Sequence, residues 1–254
     1  MPGPKRWIAF SFSSKASTEV SAIAPSIPSE PVYRPVGAHA LLVEFGALID
    51  EHIHGQVIRL DAVLRNAPFG GFIEAVPAYA SLLVRFDPLV TDHGQVKTAV
   101  SNLIAHPGIF DQPETLREVH VCYDPELAPD LLYVARACGL SPDEVVNAHL
   151  AGEYKVFMYG FAPGYAYLAG VPRQVQLPRK QAAVRGVSAG SVLIAGPQCL
   201  VTTLEMPTGW WIIGRSPTKI LDRASEKHPF LFEVGDRVRF RRISRADFDM
   251  GSGT

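Results

Sequence analysis

Cysteine is scarce in this chain of 254 residues: Cys122, Cys138 and Cys199 stand far apart, with no CxxC spacing. An odd, scattered set excludes a disulfide-stapled scaffold and reads more simply as that of a protein in a reducing cytoplasm. Charge of one sign is lacking too. Lys and Arg total 24 against 25 Asp and Glu, which leaves neither a nucleic-acid footprint nor a polybasic membrane arm. No apolar run approaches the length that crosses a bilayer. The usual catalytic signatures are absent as well: no GxSxG elbow, no phosphate loop with its lysine, no HExxH, no glycine-rich dinucleotide turn.

What is present is ordinary globular composition, 47% apolar and 19% charged, in a chain long enough for one large or two modest domains. Residues 1–30, rich in Ser, Ala and Pro after "WIAFSF", read as a poorly ordered tail. The next stretch alternates elements. "AHALLVEFG" (38–46) predicts a buried strand, and "HGQVIRLDAVLRNAP" (54–68) a helix facing inward through Val57, Leu60, Val63 and Leu64. Two strands follow within 69–88, the second alternating Leu82, Val84 and Phe86 against Ser81, Leu83 and Arg85. A helix over 94–108 and a strand over 117–125 complete a strand–helix–strand–strand–helix–strand order, that of a ferredoxin-like α/β sandwich. Pro113 and Pro125 bracket that last strand, so it can serve either domain. Two short helices fill 128–151, the second opened by a Ser141–Glu144 capping box with Pro142 in its first turn. Beyond 153, short apolar runs punctuated by Gly and Pro predict an all-β barrel. Trp210 and Ile212 should face one way and Trp211 and Ile213 the other, on a strand covered on both sides. The domains so read are 31–115 and 116–245, with 246–254 a tail.

Candidate chemistry is thin. His52 and His54 would share a face if extended, but two histidines make a weak metal site, and a solvated loop is the simpler reading. His120 and Cys122 share a strand face without any sign of an activated thiol. Ser188 and Ser191 lack a base that spacing can assign. The arginines say more. Arg173, Arg179 and Arg185 flank a glycine-rich stretch and Arg215 ends the tryptophan strand; a guanidinium grips carboxylate or phosphate in bidentate fashion. Just before them lies "MYGFAPGYAYLAGVP" (158–172). Gly160, Gly164 and Gly170 with Pro163 and Pro172 permit tight turns, while Phe161, Tyr165 and Tyr167 supply flat walls and hydroxyl donors. The alternatives are a pocket lip and a packed barrel corner.

The order "FMYGFAPGYAYLAGVP", "LPRK", "VSAGSVLIAGPQ", "GWWIIGRSP", "GDRVRF" resembles the family of B-type subunits of bacterial 5-oxoprolinase. The same family is known as allophanate hydrolase subunit 1, the KipI-like or carboxyltransferase-domain family. Upstream, "ALLVEFG", "VPAYASLLVRFDP", "VCYDPELAPDL" and "GLSPDEVVNAHLAGEYKVFM" fall in the same order, so the resemblance spans roughly 33–243. Gly160, Phe161, Pro163, Gly164, Tyr165, Tyr167 and Leu168 match the glycine–aromatic motif, and Pro178 and Arg179 a Pro-Arg pair. Ala189, Gly190, Ser191, Ala195, Gly196 and Gln198 match the central motif, and Gly209, Trp210, Ile213, Gly214, Arg215 and Pro217 the last.

The resemblance implies a cyclophilin-like barrel behind a small α/β domain. It also implies one part of a heteromer: a chain that pairs with a larger barrel protein, the C-type subunit, and with a further subunit opens 5-oxoproline to glutamate at the expense of ATP. Related members act in urea carboxylation, and one inhibits a sporulation histidine kinase; a peptidyl-prolyl isomerase pattern is not reproduced. On this footing Arg179, Arg215 and Gln198 are the catalytic candidates. Phe161, Pro163, Gly164, Tyr165, Tyr167, Gly190, Ser191, Gly196, Gly209 and Trp210 are the candidates for holding a small amide or lactam. ATP is used by the complex and bound here or on another subunit; no metal site is expected. Departures from the family pattern fall at Gly37-Ala38, Ala183-Val184, "VSAG", "QCLVTT" (198–203) and "PTGW". They remove polar groups that could orient substrate, and so bear on the substrate rather than on fold or partner.

Overall fold

The computed structural model describes residues 30–106 and 114–251; the tail expected at 1–30 falls outside them but for Glu30, as does Pro113. The first unit holds β1 (Val32–Val36), β2 (Ala40–Glu44), α1 (Glu51–Asn66), β3 (Phe72–Pro77), β4 (Ser81–Phe86) and α2 (His93–Ala105). Alternation along β4 buries Leu82, Val84 and Phe86 beneath the helices, where they meet Leu41 and Val43 of β2, Ile53, Val57, Leu60 and Leu64 of α1, and Val96 and Val100 of α2. Aspartates fix both helix starts: Asp50 accepts from the backbone of His52 and Ile53, and Asp92 from that of Gln95.

The sheet is wholly antiparallel, in the order β1-β2-β4-β3. Three of its strands, β2, β3 and β4, fall where the sequence suggests them, and the fourth does not. The edge beside β2 belongs to β1, whose "VYRPV" shows no alternation because it is exposed along most of its length. β5 (Leu116–Val121), which the sequence leaves open to either domain, joins the second unit. There Val119 and Val121 are fully buried, and the strand runs parallel to β13 (Arg237–Arg242).

Between them come α3 (Leu131–Cys138), α4 (Pro142–Ala151), β6 (Tyr154–Tyr159), β7 (Ala166–Ala169) and a 3-10 turn (Arg173–Val175). These are followed by β8 (Val184–Val187), β9 (Ser191–Ala195), β10 (Gln198–Val201), β11 (Met206–Thr208) and β12 (Trp211–Arg215). The capping box of α4 forms as its residues dictate: the Ser141 hydroxyl accepts from the Glu144 N–H and the Glu144 carboxylate from the Ser141 N–H. Seven strands, in the order β12-β9-β10-β7-β6-β13-β5, curl into a barrel. Its open edges meet where Cys122 and Arg215 exchange backbone hydrogen bonds of 2.8 and 2.9 Å. The interior holds Val156, Leu168, Val192, Ile194, Cys199, Val201, Ile213 and Phe240, joined by Val134 and Val145 from the two helices. Trp211 packs with this core, whereas Trp210 and Ile212 join Tyr165, Leu193, Ala195 and Leu200 on the outer face of the sheet. The strand is thus covered on both sides. The C-terminal stretch read as a tail is instead a helix, α5 (Arg245–Gly251), with Phe248 buried on its inner side.

The two units meet along α1 and β6. Glu51 takes a bidentate pair from Arg237, which also reaches Glu114, and Glu114 binds Lys155. Inside that rim His54 is fully buried: its Nε2 donates to the Phe157 carbonyl at 2.7 Å and its ring stacks on Phe157. The "HIH" segment is therefore neither extended nor a loop. It is the first turn of α1, which exposes His52 and buries His54. Among the described residues no helix is long and apolar enough to cross a membrane.

Candidate functional site

Alternation sorts the barrel strands into two faces, and the outer one carries most of the aromatic candidates. Tyr165 and Tyr167 project from the start of β7 while Ala166 and Leu168 point inward. The Tyr167 ring lies edge-on to Trp210, centroids 5.8 Å apart, and the Arg179 guanidinium sits 5.4 Å from the Trp210 ring. Arg179 has no carboxylate partner among the described residues. Gln198 opens β10 opposite Ala169 of β7, next along the same face. The tyrosine phenols are pushed up by burial, against which Arg179 pulls Tyr167 down, so both are protonated donors at neutral pH.

Pro163, Gly164, Gly196 and Gly209 stand in the turns around this face. The Pro163 carbonyl accepts from the Thr203 hydroxyl at 2.6 Å. Gly164, at φ +74°, leaves no room for a Cβ, which would stand 2.9 Å from Thr203 Cγ2. Gly196 turns β9 into β10 and donates to the Leu177 carbonyl at 2.7 Å, and the Gly209 carbonyl accepts from the Lys180 N–H at 2.8 Å. Lys180 in turn pairs with Asp130, whose carboxylate also accepts from the Ile212 N–H.

Phe161 stands apart. It has φ +71°, which a residue with a Cβ rarely adopts, and the Ala162 N–H closes a three-residue turn onto the Gly160 carbonyl at 2.9 Å. Its ring is 69% exposed, 5.7 Å from Tyr165. A strained backbone holding an aromatic ring in solvent has no packing reason. We expect Phe161→Gly to keep its Tm, because relief of about 1–2 kcal/mol of strain is offset by a comparable gain in unfolded-chain entropy. A raised KM in steady-state assays would place the ring in the site; an unchanged KM would remove it.

The remaining candidates form a second group. Arg215 Nε donates to the Ala189 carbonyl at 3.1 Å, and its guanidinium lies 5.9 Å from the Phe248 ring. Ser191, nearly fully buried, donates to the Ser188 carbonyl at 2.8 Å and has no histidine partner among the described residues. Gly190, at φ +81°, lies so close to the Ser216 carbonyl that a Cβ would stand 2.3 Å from it. Arg185, Ser188, Ser191 and Arg215 line a hollow of about 230 Å³ near the barrel seam. Arg179 and Arg215 thus have separate neighbours, and the structure does not gather the two arginines around one ring. Two hollows of about 390 and 380 Å³, one against α1 and α2 and one at the junction of the units, are lined by none of these side chains.

Two features escape sequence reasoning. Tyr79, in the β3–β4 turn, brings its ring to 5.4 Å from Phe157 on the outer face of β6. His149 of α4 lies in the barrel interior, with the Tyr123 hydroxyl 2.7 Å from Nδ1 and the Cys199 sulfur 3.7 Å from Nε2. Burial lowers the His149 pKa to about 3 and raises those of the Cys199 thiol and the Tyr123 phenol. The three are therefore neutral packing groups, and Cys199 is no nucleophile. His120 is exposed and Cys122 buried at the seam, so they form no dyad. Among the described residues no cluster of three or more His, Cys, Asp or Glu could hold a metal ion.

Comparison with known proteins places this geometry in a lineage. The family description "Carboxyltransferase domain, subdomain C and D" matches residues 31–232. A relative from Bacillus subtilis (strain 168), the B-type subunit of 5-oxoprolinase, is 38% identical over 226 residues, covering 84% of this chain and 93% of that protein. Among solved structures, TTHA0988 superimposes with a TM-score of 0.71 at 32% identity over 81% of this chain, which spans 40% of that longer one. K. lactis urea amidolyase shares the fold at 18% identity, with a TM-score of 0.72 over 90% of this chain and 16% of that one. The chain belongs to the carboxyltransferase-domain family, subdomains C and D, in which the B-type subunit of 5-oxoprolinase is found.

Proposed function

We propose that the chain is the B-type subunit of a heteromeric, ATP-dependent amidohydrolase whose substrate is a small lactam or amide, 5-oxo-L-proline being the first candidate. The reaction consumes 5-oxoproline, ATP and water and yields glutamate, ADP and phosphate, in the cytoplasm. The observation that carries this reading is the exposed guanidinium of Arg179, without a carboxylate partner among the described residues, set against the Trp210 and Tyr167 rings on the outer barrel face. The B. subtilis relative, matched over most of both chains, supports it.

Opening an amide with ATP requires an activated carbonyl oxygen, a delivered water and stabilised negative charge. In this scheme Arg179 takes the negative charge, Gln198 pairs with the amide, and the tyrosine and tryptophan rings hold the flat ring between them. The base that activates water, and the ATP site, belong to a C-type barrel protein and a further subunit that close the cradle. Arg215 acts at the seam as a second charge clamp. The architecture that presents the site is an α/β sandwich over 31–115 and a cyclophilin-like barrel over 116–245.

Co-expression with a C-type barrel partner and an assay of ATP-dependent 5-oxoproline loss tests the proposal. Consumption by the complex, and by neither chain alone, is the expected result. An assembled complex that spares 5-oxoproline but consumes another lactam would overturn the substrate. One that hydrolyses no amide at all would overturn the activity.

A further inference from the structure

We propose that the Tyr79 hydroxyl, carried by the N-terminal sheet, donates a hydrogen bond to the carbonyl oxygen of the amide held on the barrel face, so that the binding site is built by both domains. The proposal rests on the reading of that face as an amide site and names the group that recognises the carbonyl.

The geometry is set by the way the two units dock. The turn between β3 and β4, closed by the Ala78 N–H on the Ser81 carbonyl at 2.9 Å, lifts Tyr79 out of its own sheet. Its ring settles against Phe157, which β6 turns outward while neighbouring Val156 points into the barrel core. Along that outer face the next strands carry Tyr167, beside Met158 of β6, and Gln198, beside Ala169. The tyrosine therefore enters the row that holds the amide candidates, and Gln198, Tyr167, Cys199 and Arg179 are the groups that act on its phenol.

Its hydroxyl is the anomaly. The oxygen is buried and makes no hydrogen bond of normal geometry, even with Gln198 beside it. Buried polar groups are nearly always satisfied, and leaving one unmet is costly. Phenylalanine would fill the same space without that cost. Burial also raises the phenol pKa, so the group keeps its proton and has it to donate. A carbonyl oxygen arriving between Tyr79 and Gln198 would satisfy the donor, and the domain interface excludes the water that would otherwise compete for it.

The test compares full-length wild-type chain with Tyr79→Phe, using 5-oxoproline and proline as probes in calorimetric titrations. Proline keeps the ring and the carboxylate but lacks the carbonyl. Wild type should bind 5-oxoproline the more tightly, and Tyr79→Phe should lose about tenfold in that affinity, the worth of one buried hydrogen bond, while its affinity for proline stays put. Its Tm without ligand should not fall. A Tm lower by several degrees would mean that the hydroxyl is bonded within the folded chain, and an undiminished preference for 5-oxoproline would mean that it does not meet the carbonyl; either overturns the proposal. Turnover by the assembled complex keeps the two readings apart. Full turnover with Tyr79→Phe sinks the role of Tyr79 and leaves the amidohydrolase standing. A wild-type complex without turnover, whose isolated chain still needs Tyr79 to prefer 5-oxoproline, sinks the amidohydrolase and leaves Tyr79. An isolated chain that binds neither probe sinks the role of Tyr79 and leaves the amidohydrolase to the turnover of the complex.

Discussion

Replacing Arg179 by alanine lowers kcat/KM of the assembled complex by about a hundredfold or more while the protein melts almost where wild type does. The size follows from the chemistry: removing one preorganised donor from developing negative charge costs on the order of 10²–10³ in rate. The small structural effect follows from the neighbours. Arg179 has no carboxylate partner among the described residues and rests on the Trp210 ring, a contact worth roughly 0.5–1 kcal/mol at an exposed site. Arg179→Lys should not rescue, since an ammonium cannot reproduce a planar two-pronged grip. Arg215→Ala is the informative comparison, because that side chain holds the Ala189 carbonyl beside the seam, so its loss should lower the Tm as well as the rate. Steady-state kinetics with thermal melts on both variants reads the split. If Arg215→Ala abolishes turnover and Arg179→Ala leaves it intact, the reaction belongs to the hollow at the seam and the aromatic face is only packing.

Acid should destabilise the fold steeply, with two histidines as the cause. Burial holds His149 neutral with a pKa of about 3. His54 is lowered to about 4, again chiefly by burial, with the Phe157 hydrogen bond pulling the other way and Lys155 adding to the fall. In the unfolded chain both titrate near 6.5. Between those values the unfolded state binds protons that the folded state refuses, so stability rises with pH. The contribution is complete above about pH 6.5 and drains as pH falls toward 4, at roughly 1.4 kcal/mol per pH unit for each histidine. Urea midpoints at pH 7, 6, 5 and 4.5 should fall progressively by that joint slope. His149→Gln, less stable throughout, should show about half of it. A variant as acid-sensitive as wild type would mean that His149 already carries a proton in the folded state, or that carboxylates dominate the response.

Much of the barrel is legible in the sequence because its signals are local. The Trp210–Ile213 run reads as covered on both sides, and the two tryptophans do lie in different clusters. Ser141, Pro142 and Glu144 set a helix start that needs no tertiary help. Pairing is less legible. β5 alternates as well in either sheet, and only its parallel contact with β13 decides its place. β1 hides because an exposed edge strand with a proline has no period to detect. At the site, the glycine–aromatic segment offers Tyr165 and Tyr167, which the structure packs with Trp210 of a distant strand, and no spacing rule separates Arg179 from Arg215, whose neighbours come from different strands. Tyr79 is illegible for a plainer reason: its partner Phe157 lies across a domain junction, and a lone tyrosine in a turn announces nothing.

The parallel pairing of β5 with β13 has a consequence for the way the molecule comes into being. The first sheet and its two helices can pack as soon as they leave the ribosome, since every partner lies within the opening half of the polypeptide. β5 is made next and must then wait. Its neighbour arrives last: Glu118 and Arg241, which pair across the two strands, stand 123 positions apart. Until then a strand bearing Val119 and Val121 trails in solution beside a half-made cylinder, the kind of long-range closure that slows assembly and invites mispairing.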